Sequence, residues 1–194
     1  GNPPYQGSVN QTAYQKEDMQ RIFASVFKKY KDLDYVAAFV LQAARFNRIS
    51  STSSAFVTTN SITQGEQVAM LWPLIYAQDN HIHFAHTSFQ WSNLASHKAA
   101  VTCVILGLTT DQVKKKKLFF GEVVHDADCI SPYLVRSEEI IVEKRNSSIH
   151  SLTRMDYGNK PTDGGNLILL EEEYKQFISR HPEARPLILS LIHI

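Results

Sequence analysis

The sequence predicts an α/β fold on three observations. Two helical periodicities open the chain. A strand, a polar loop and a further helix follow in that order, and short strands parted by turn signals fill what comes after. The 194 residues are 43% hydrophobic and 20% charged, with a formal net charge of +1. That is the balance of a globular chain with enough apolar residues for a sizeable core. Near-neutral charge excludes a surface coated with basic residues for nucleic acid, although a local stripe can serve the same purpose. No apolar run has the length of a membrane span, and no charged-then-apolar signal segment opens the chain. Cys103 and Cys129 form no disulfide framework. Cys103 falls in the apolar run 99–108, where a reduced, buried thiol is expected, and a reducing cytoplasm suits both cysteines.

Taken in order, residues 15–30 read as an amphipathic helix, because Met19, Ile22, Phe23, Val26, Phe27 and Tyr30 recur at the spacing of one helical face. A second helix is expected over 33–46, with Leu33, Val36, Ala37, Val40, Leu41 and Ala44 turned inward. Residues 53–59 read as a short buried strand around Phe56 and Val57. The polar stretch Asn60-Ser61-Ile62-Thr63-Gln64-Gly65 follows, then a helix from about Glu66 that Pro73 should kink or end, since proline lacks an N–H and crowds the preceding turn. Strands are expected at 81–87 and 99–108. The segment 88–98 between them is too long for a tight hairpin and carries Phe89 and Trp91 among polar residues, so it reads as a functional loop. Beyond Lys117 short strands are expected at 118–124, 140–143 and 167–170, and a last helix at 171–179 stops before His181-Pro182. The change of texture puts a domain boundary within 110–117.

Chemistry concentrates in Gly1-Asn2-Pro3-Pro4-Tyr5. An exocyclic amine such as adenine N6 is a poor nucleophile, because its lone pair is delocalised into the ring. Two acceptors aimed at its two hydrogens would draw the nitrogen towards tetrahedral geometry and free that pair. The Asn2 side-chain oxygen can supply one acceptor and the Pro3 carbonyl the other, while Pro4 stiffens the backbone without adding a competing donor. Tyr5 offers a flat face on which a base can stack.

This motif resembles motif IV of the amino-methyltransferases. The stretches Leu33-Asp34-Tyr35-Val36-Ala37-Ala38, Thr58-Thr59-Asn60-Ser61-Ile62-Thr63-Gln64-Gly65-Glu66-Gln67-Val68, Ser88-Phe89-Gln90-Trp91-Ser92-Asn93 and Gly158-Asn159-Lys160-Pro161-Thr162-Asp163-Gly164-Gly165 resemble one branch, the MmeI-like family of combined restriction–modification enzymes. The resemblance covers residues 1 to about 188. It implies the C-terminal half of a Rossmann-like class I methyltransferase fold, followed by a partial, β-rich target-recognition region.

It further implies methyl transfer from S-adenosylmethionine to adenine N6 of double-stranded DNA, with the adenine flipped from the duplex because its amine is unreachable inside the stack. On this reading Asn2, Pro3, Pro4 and Tyr5 are catalytic, and Tyr5 stacks on the flipped base. A second aromatic closes the sandwich, Phe89 before Trp91. Residues 1–113 would be the catalytic part and 114–188 the start of the recognition region. The stretch 189–194 departs from the family and is expected to be a non-native tail. The glycine-rich loop and acidic residue that hold the cofactor in this family are expected upstream of Gly1, which makes the chain a piece of a longer protein.

Four candidates for DNA contact lie in the run Lys114-Lys115-Lys116-Lys117, although such a run taken alone is more often a solvated loop than a phosphate contact. Gly164 and Gly165 could present backbone N–H groups to a phosphate, or form a tight turn. His81, His83 and His86 lack cysteine or carboxylate partners at ligand-like spacing, so no metal site is expected. Two other functions stay open: an amino-methyltransferase acting on RNA or protein glutamine, which share Asn-Pro-Pro-Tyr, and a recognition module without catalysis.

Overall fold

Alternating apolar residues and the capping signals between them organise most of the chain into helices packed on a single sheet. The computed structural model describes residues 1–91, 101–145, 164–166 and 168–188. They fall in two compact units, Gly1–Lys144 and Arg145–Ile194. The first unit runs α1 (Ala13–Phe23), α2 (Val36–Ser50), β1 (Ser53–Thr59), α3 (Gly65–Tyr76), β2 (His81–Trp91), β3 (Val101–Thr109), β4 (Lys116–Phe120) and β5 (Val123–Ala127).

The five strands form one sheet in the order β1-β3-β2-β4-β5. β3 is antiparallel to both β1 and β2, so those two are parallel to each other, with α3 in the crossover between them. β4 pairs parallel with β2 and turns back antiparallel into β5 through Gly121, whose φ of +58° suits a residue without Cβ. This is the α/β, Rossmann-like arrangement that the sequence predicts.

Residues opposite one another on paired strands share a face. Phe56, Leu106, Ala85 and Leu118 form such a row across four strands. Against it pack Val36, Val40, Leu41 and Ala44 of α2 and Val68, Leu71, Trp72 and Ile75 of α3. The Trp72 indole N–H is satisfied inside this core by the Ile62 carbonyl at 2.7 Å, which pins the turn before α3. Asn47 is fully buried at the end of α2. Its Nδ2 donates to Asn80 Oδ1 at 2.8 Å and to the Leu108 carbonyl at 3.3 Å, and its Oδ1 accepts from Ser54 at 2.6 Å and Thr52 at 3.3 Å. One amide thereby ties α2 to β1, β3 and the turn before β2.

Several expectations are corrected. α1 ends at Phe23, and the chain bends through a short helical turn at Tyr30–Asp32 before Leu33 enters the core, leaving Val26 exposed. α2 begins at Val36 and runs on to Ser50, where Ser51 in the left-handed region (φ +50°) ends it. All six residues expected inward, from Leu33 to Ala44, are buried. Pro73 does not end its helix, which continues to Tyr76; the proline is on the exposed side, and its carbonyl still accepts from the Ala77 N–H at 3.0 Å. β1 is an outer strand, so Phe56 and Val57 are half-buried rather than buried. The single strand expected over 118–124 is a hairpin of two, because Gly121 permits the reversal. Residues 140–143 form no strand, and neither do 168–170. The 113/114 division passes between β3 and β4, which lie in one sheet.

In the second unit, α4 (Glu171–Arg180) carries Glu171, Glu172 and Glu173 in its first turn, where negative charge complements the helix dipole. Glu173 also accepts from the Leu170 N–H at 2.8 Å. Leu167, with which a strand is expected to open, the stretch 158–163 and the residues 189–194 lie outside the described residues.

Replacing Asn47 by Ala or Leu strands several buried polar groups at once. Each such group costs about 1–3 kcal/mol, and a clear drop in the denaturant midpoint is expected. An unchanged midpoint would mean that water replaces the amide at no cost.

Candidate active site

Gly1 is bonded to the outer edge of β1. Its amino group donates to the Ala55 carbonyl at 2.5 Å and its carbonyl accepts from the Val57 N–H at 2.9 Å, one rung of a parallel ladder around Phe56. Asn2-Pro3-Pro4-Tyr5 therefore leaves β1 at the carboxyl ends of the parallel strands, the end at which open α/β sheets place their ligands. Pro3 is buried, Asn2 and Pro4 are exposed, and Tyr5 is half-buried. The Tyr5 hydroxyl donates to Asn2 Oδ1, with the Val57 carbonyl also within reach at 3.3 Å. No group among the described residues donates to the Pro3 carbonyl.

Near Tyr5 is Cys103, fully buried on β3 and close enough to the Tyr5 hydroxyl for the two groups to influence each other's acidity. Burial pushes the Tyr5 hydroxyl above its ordinary range, and the neighbouring thiol adds to the shift. Burial also pushes the Cys103 thiol up, against the opposing effect of the neighbouring Tyr5 hydroxyl. Both groups keep their protons at neutral pH. Cys103 is paired across the sheet with Thr59 on one side and Phe89 on the other. One residue thus adjoins both aromatics proposed for the base.

Phe89 and Trp91 are not on a loop. β2 continues through both of them, past a bulge between His86 and Phe89. Two residues apart, they share a face, with ring centroids 6.3 Å from each other. Phe89, opposite Cys103, is half-buried. Trp91 is a pair further out, opposite Val101, and is 42% exposed.

The lysines are not brought to this end. Lys117 is level with Phe84, five residues before Phe89, or roughly 15 Å along the strand at about 3.3 Å per residue. Lys116 is buried and donates to Cys129 Sγ at 3.8 Å, which removes it from any surface stripe. Lys117 and Lys115 both pair with Asp126, at 2.5 and 3.9 Å. Lys114 is exposed and has no ion-pair partner among the described residues. Gly164 and Gly165 have φ of +74° and +90° in a turn whose Gly165 carbonyl accepts from the Ile168 N–H at 3.1 Å; Asp163 lies outside the described residues. Burial pushes the His81 and His83 imidazoles down, and His86 stacks on Phe119 with centroids 4.2 Å apart. Among the described residues no three ligand-type side chains converge as a metal site would require, and no helix is long and apolar enough to cross a membrane.

The sequence reading missed the residues that hold the loop. Gln11 is buried and donates to the Leu33 carbonyl at 2.9 Å and the Gln6 carbonyl at 3.4 Å. The Gln6 carbonyl also receives the Tyr35 N–H at 2.9 Å, which joins the loop to the start of α2. Asp34 accepts from Ser61, and Gln67 bridges the Asp34 N–H (3.2 Å) and the Asp32 carbonyl (2.8 Å). Polar residues at 34, 61 and 67 stand within the very stretches that carry the family resemblance, and that was the available signal.

Comparison with known proteins identifies the family. A family model described as the MmeI DNA-methyltransferase domain matches residues 1–120, and one described as the MmeI target recognition domain matches 136–193. DNA methyltransferase A of Bacillus subtilis (strain 168) is 42% identical over 187 residues, which are 96% of this chain and 21% of that protein. A solved structure of the Type IIL restriction-modification enzyme MmeI in complex with DNA matches with a TM-score of 0.83 at 41% identity, over 96% of this chain and 26% of that one. Fold and matched family model together define the class, that of the DNA-methyltransferase domains. Within it, the chain belongs to the MmeI family.

The shared Cys103 neighbour ranks the two aromatics. In the whole protein, Phe89→Ala should reduce the fluorescence of 2-aminopurine placed at the target position, and lower turnover on paired DNA, more than Trp91→Ala does. Base–aromatic stacking is worth about 1–3 kcal/mol. The reverse order would assign the stacking to Trp91.

Proposed function

We propose that this chain carries the amine-binding part of an S-adenosylmethionine-dependent DNA adenine-N6 methyltransferase, belonging to a combined restriction–modification enzyme of the cytoplasm. The observation that carries the proposal is the placing of two acceptors, Asn2 Oδ1, which accepts from the Tyr5 hydroxyl, and the Pro3 carbonyl, beside a half-buried aromatic at the carboxyl end of the sheet. The chain spans 21% of the curated relative, so the activity is proposed for the whole protein.

The acceptor half of the reaction fits the residues present. A flipped adenine stacks on Tyr5, with Phe89 as the opposing ring. Its N6 hydrogens point to Asn2 Oδ1 and the Pro3 carbonyl, which draw the nitrogen out of conjugation so that its lone pair can attack. Both acceptors are fixed before the base arrives, so the gain is one of positioning and pre-aimed dipoles. S-adenosylmethionine, when bound, supplies an electrophilic methyl group; its main binding residues are expected upstream of Gly1. Among the lysines, Lys114 is the best placed to meet a phosphate, and Gly164 and Gly165 are candidates in the second unit.

In the whole protein, Asn2→Ala should lower the methylation rate by about 10²–10³, by analogy with removal of one positioned oxyanion-hole donor, while duplex binding stays the same. Assays with DNA, RNA and release-factor substrates separate this reading from RNA or glutamine methylation. Near-wild-type turnover by Asn2→Ala would overturn it.

A further inference from the structure

We propose that Lys116 and Cys129 form a modification site, at which hydrogen peroxide joins the lysine Nζ to the cysteine Sγ through a covalent N–S bond. The inference is independent of the amine-binding role given to Asn2.

A lysine is almost never buried without a partner for its charge. Lys116 is 8% exposed. Its one hydrogen-bond acceptor among the described residues is a sulfur, Cys129 Sγ at 3.8 Å. The carboxylate of Asp126 goes to Lys115 and Lys117 instead. Glu139 is near enough for the Lys116 charge to act on its carboxyl, yet the two form no ion pair. Sulfur is a weak acceptor, so this contact does little to satisfy a buried ammonium.

Strand register holds the two groups together. Lys116 opens β4 opposite Ala127, the last residue of β5, and Cys129 follows two residues later. Ala127 and Ile130, on either side of the cysteine, are both in the core, which limits how far the sulfur can move. An amine and a thiol are thus close before any reagent arrives, the condition under which a second bond-forming step is fast. The sulfur is also within reach of solutes. Cys129 is half-buried and lines an open cavity of about 610 Å³ together with Arg136 and Ser137. Cys103 has neither feature: it is fully buried, and its cross-strand neighbours are Thr59 and Phe89 rather than a lysine.

The chemistry balances with one peroxide. The Cys129 sulfur attacks it, the O–O bond breaks, and sulfenic acid and water result; the sulfur is oxidised by two electrons and the peroxide reduced. Lys116, having given its extra proton to water, attacks that sulfur with its nitrogen lone pair. The N–S bond forms, the S–O bond breaks, and the hydroxyl leaves as a second water with a hydrogen from the nitrogen. Sulfenic acids close on backbone nitrogen in the same way. A reducing thiol reverses the step by attacking the sulfur and releasing the amine. Lys116 is within the methyltransferase match at 1–120, and Cys129 is between it and the recognition match at 136–193. The bridge therefore ties the first to the connection that follows it.

The experiment treats the whole protein, as wild type, Cys129→Ser and Lys116→Arg, with hydrogen peroxide and maps tryptic peptides by mass without reductant. In wild type the Lys116 and Cys129 peptides should be linked, about 2 Da lighter than their sum for the two hydrogens lost. Trypsin should no longer cut after Lys116, and dithiothreitol should undo the link. Cys129→Ser should give no link. In Lys116→Arg the sulfenic acid has no amine to close on, so its capture by dimedone at Cys129 should rise several-fold over wild type. Thermal midpoints check that the variants fold, and the wild-type map decides the matter even where they do not. Cys129 left unoxidised, Cys129 carried on to sulfinic acid beside a free Lys116, or a link to Lys115 would each overturn the site. A linked pair about 14 Da heavier than the sum, with one oxygen kept between nitrogen and sulfur, would overturn the direct N–S bond.

Discussion

A single extra residue in β2 decides which aromatics reach the site. From His86 to Phe89 the strand advances three residues while its partner advances only from Ile105 to Cys103. Side chains on a strand alternate between faces, so this bulge reverses the phase of everything after it. Before it, Phe84 and His86 are on the face of Gly107 and Ile105; after it, Phe89 and Trp91 take over that face. Without the extra residue, Ser88 and Gln90 would stand opposite the row that contains Cys103, and both rings would project towards the helices. The Tyr5–Cys103–Phe89 grouping depends on that shift in register. A second irregularity, between Ile82 and Phe84, brings the Phe84 ring and the His83 imidazole so close over Gly107 that a Cβ there would be 2.2 Å from the ring. β3 therefore needs a glycine where β2 crowds it.

The loop at residues 2–7 has little regular structure and depends on anchors at both ends. Gly1 pairs with β1, and Gln6 is tied to Gln11 and Tyr35. The Asp34–Ser61–Gln67 bonds then fasten the start of α2 to the connection between β1 and α3. Fixing acceptors before substrate binds moves an entropic cost from the reaction to folding. Buried Gln11, whose amide would otherwise be an unsatisfied group in the core, shows how much of that fixing is done by short polar side chains.

Much of this was legible in the sequence, and the limits have physical causes. The inward face of α2 was readable because apolar spacing reports burial directly, and Asn-Pro-Pro-Tyr was readable because its chemistry is local. The end of α1 was not, since Val26, Phe27 and Tyr30 keep a helical spacing although the chain turns to deliver Leu33 to the core. Phe89 and Trp91 looked like loop residues because alternation of aromatics with Ser88 and Gln90 resembles a polar segment when no partner strand is in view. A bulge is a relation between two strands, and neither strand alone contains it. The parallel pairing of β4 with β2 is non-local in the same way, so a change of texture at 110–117 could mark a new segment without telling whether it joins the old sheet.

The division of charge in the first unit fits the division of labour proposed for it. The four groups proposed to meet the base are neutral: an amide, a proline carbonyl, a phenol and a thiol, the last two kept protonated by burial. Such a site meets an uncharged base without setting a fixed charge against its ring, and it does not change its hydrogen-bonding character near neutral pH. Lys115, Lys117 and Asp126 are towards the other end, where the two lysines are largely compensated. With a net charge of only +1 on the chain, long-range attraction of a polyanion by this segment is weak. On the proposed reading, recognition of a base by this segment rests on short-range stacking and hydrogen-bond geometry, which are the interactions that the register of β2 and β3 controls.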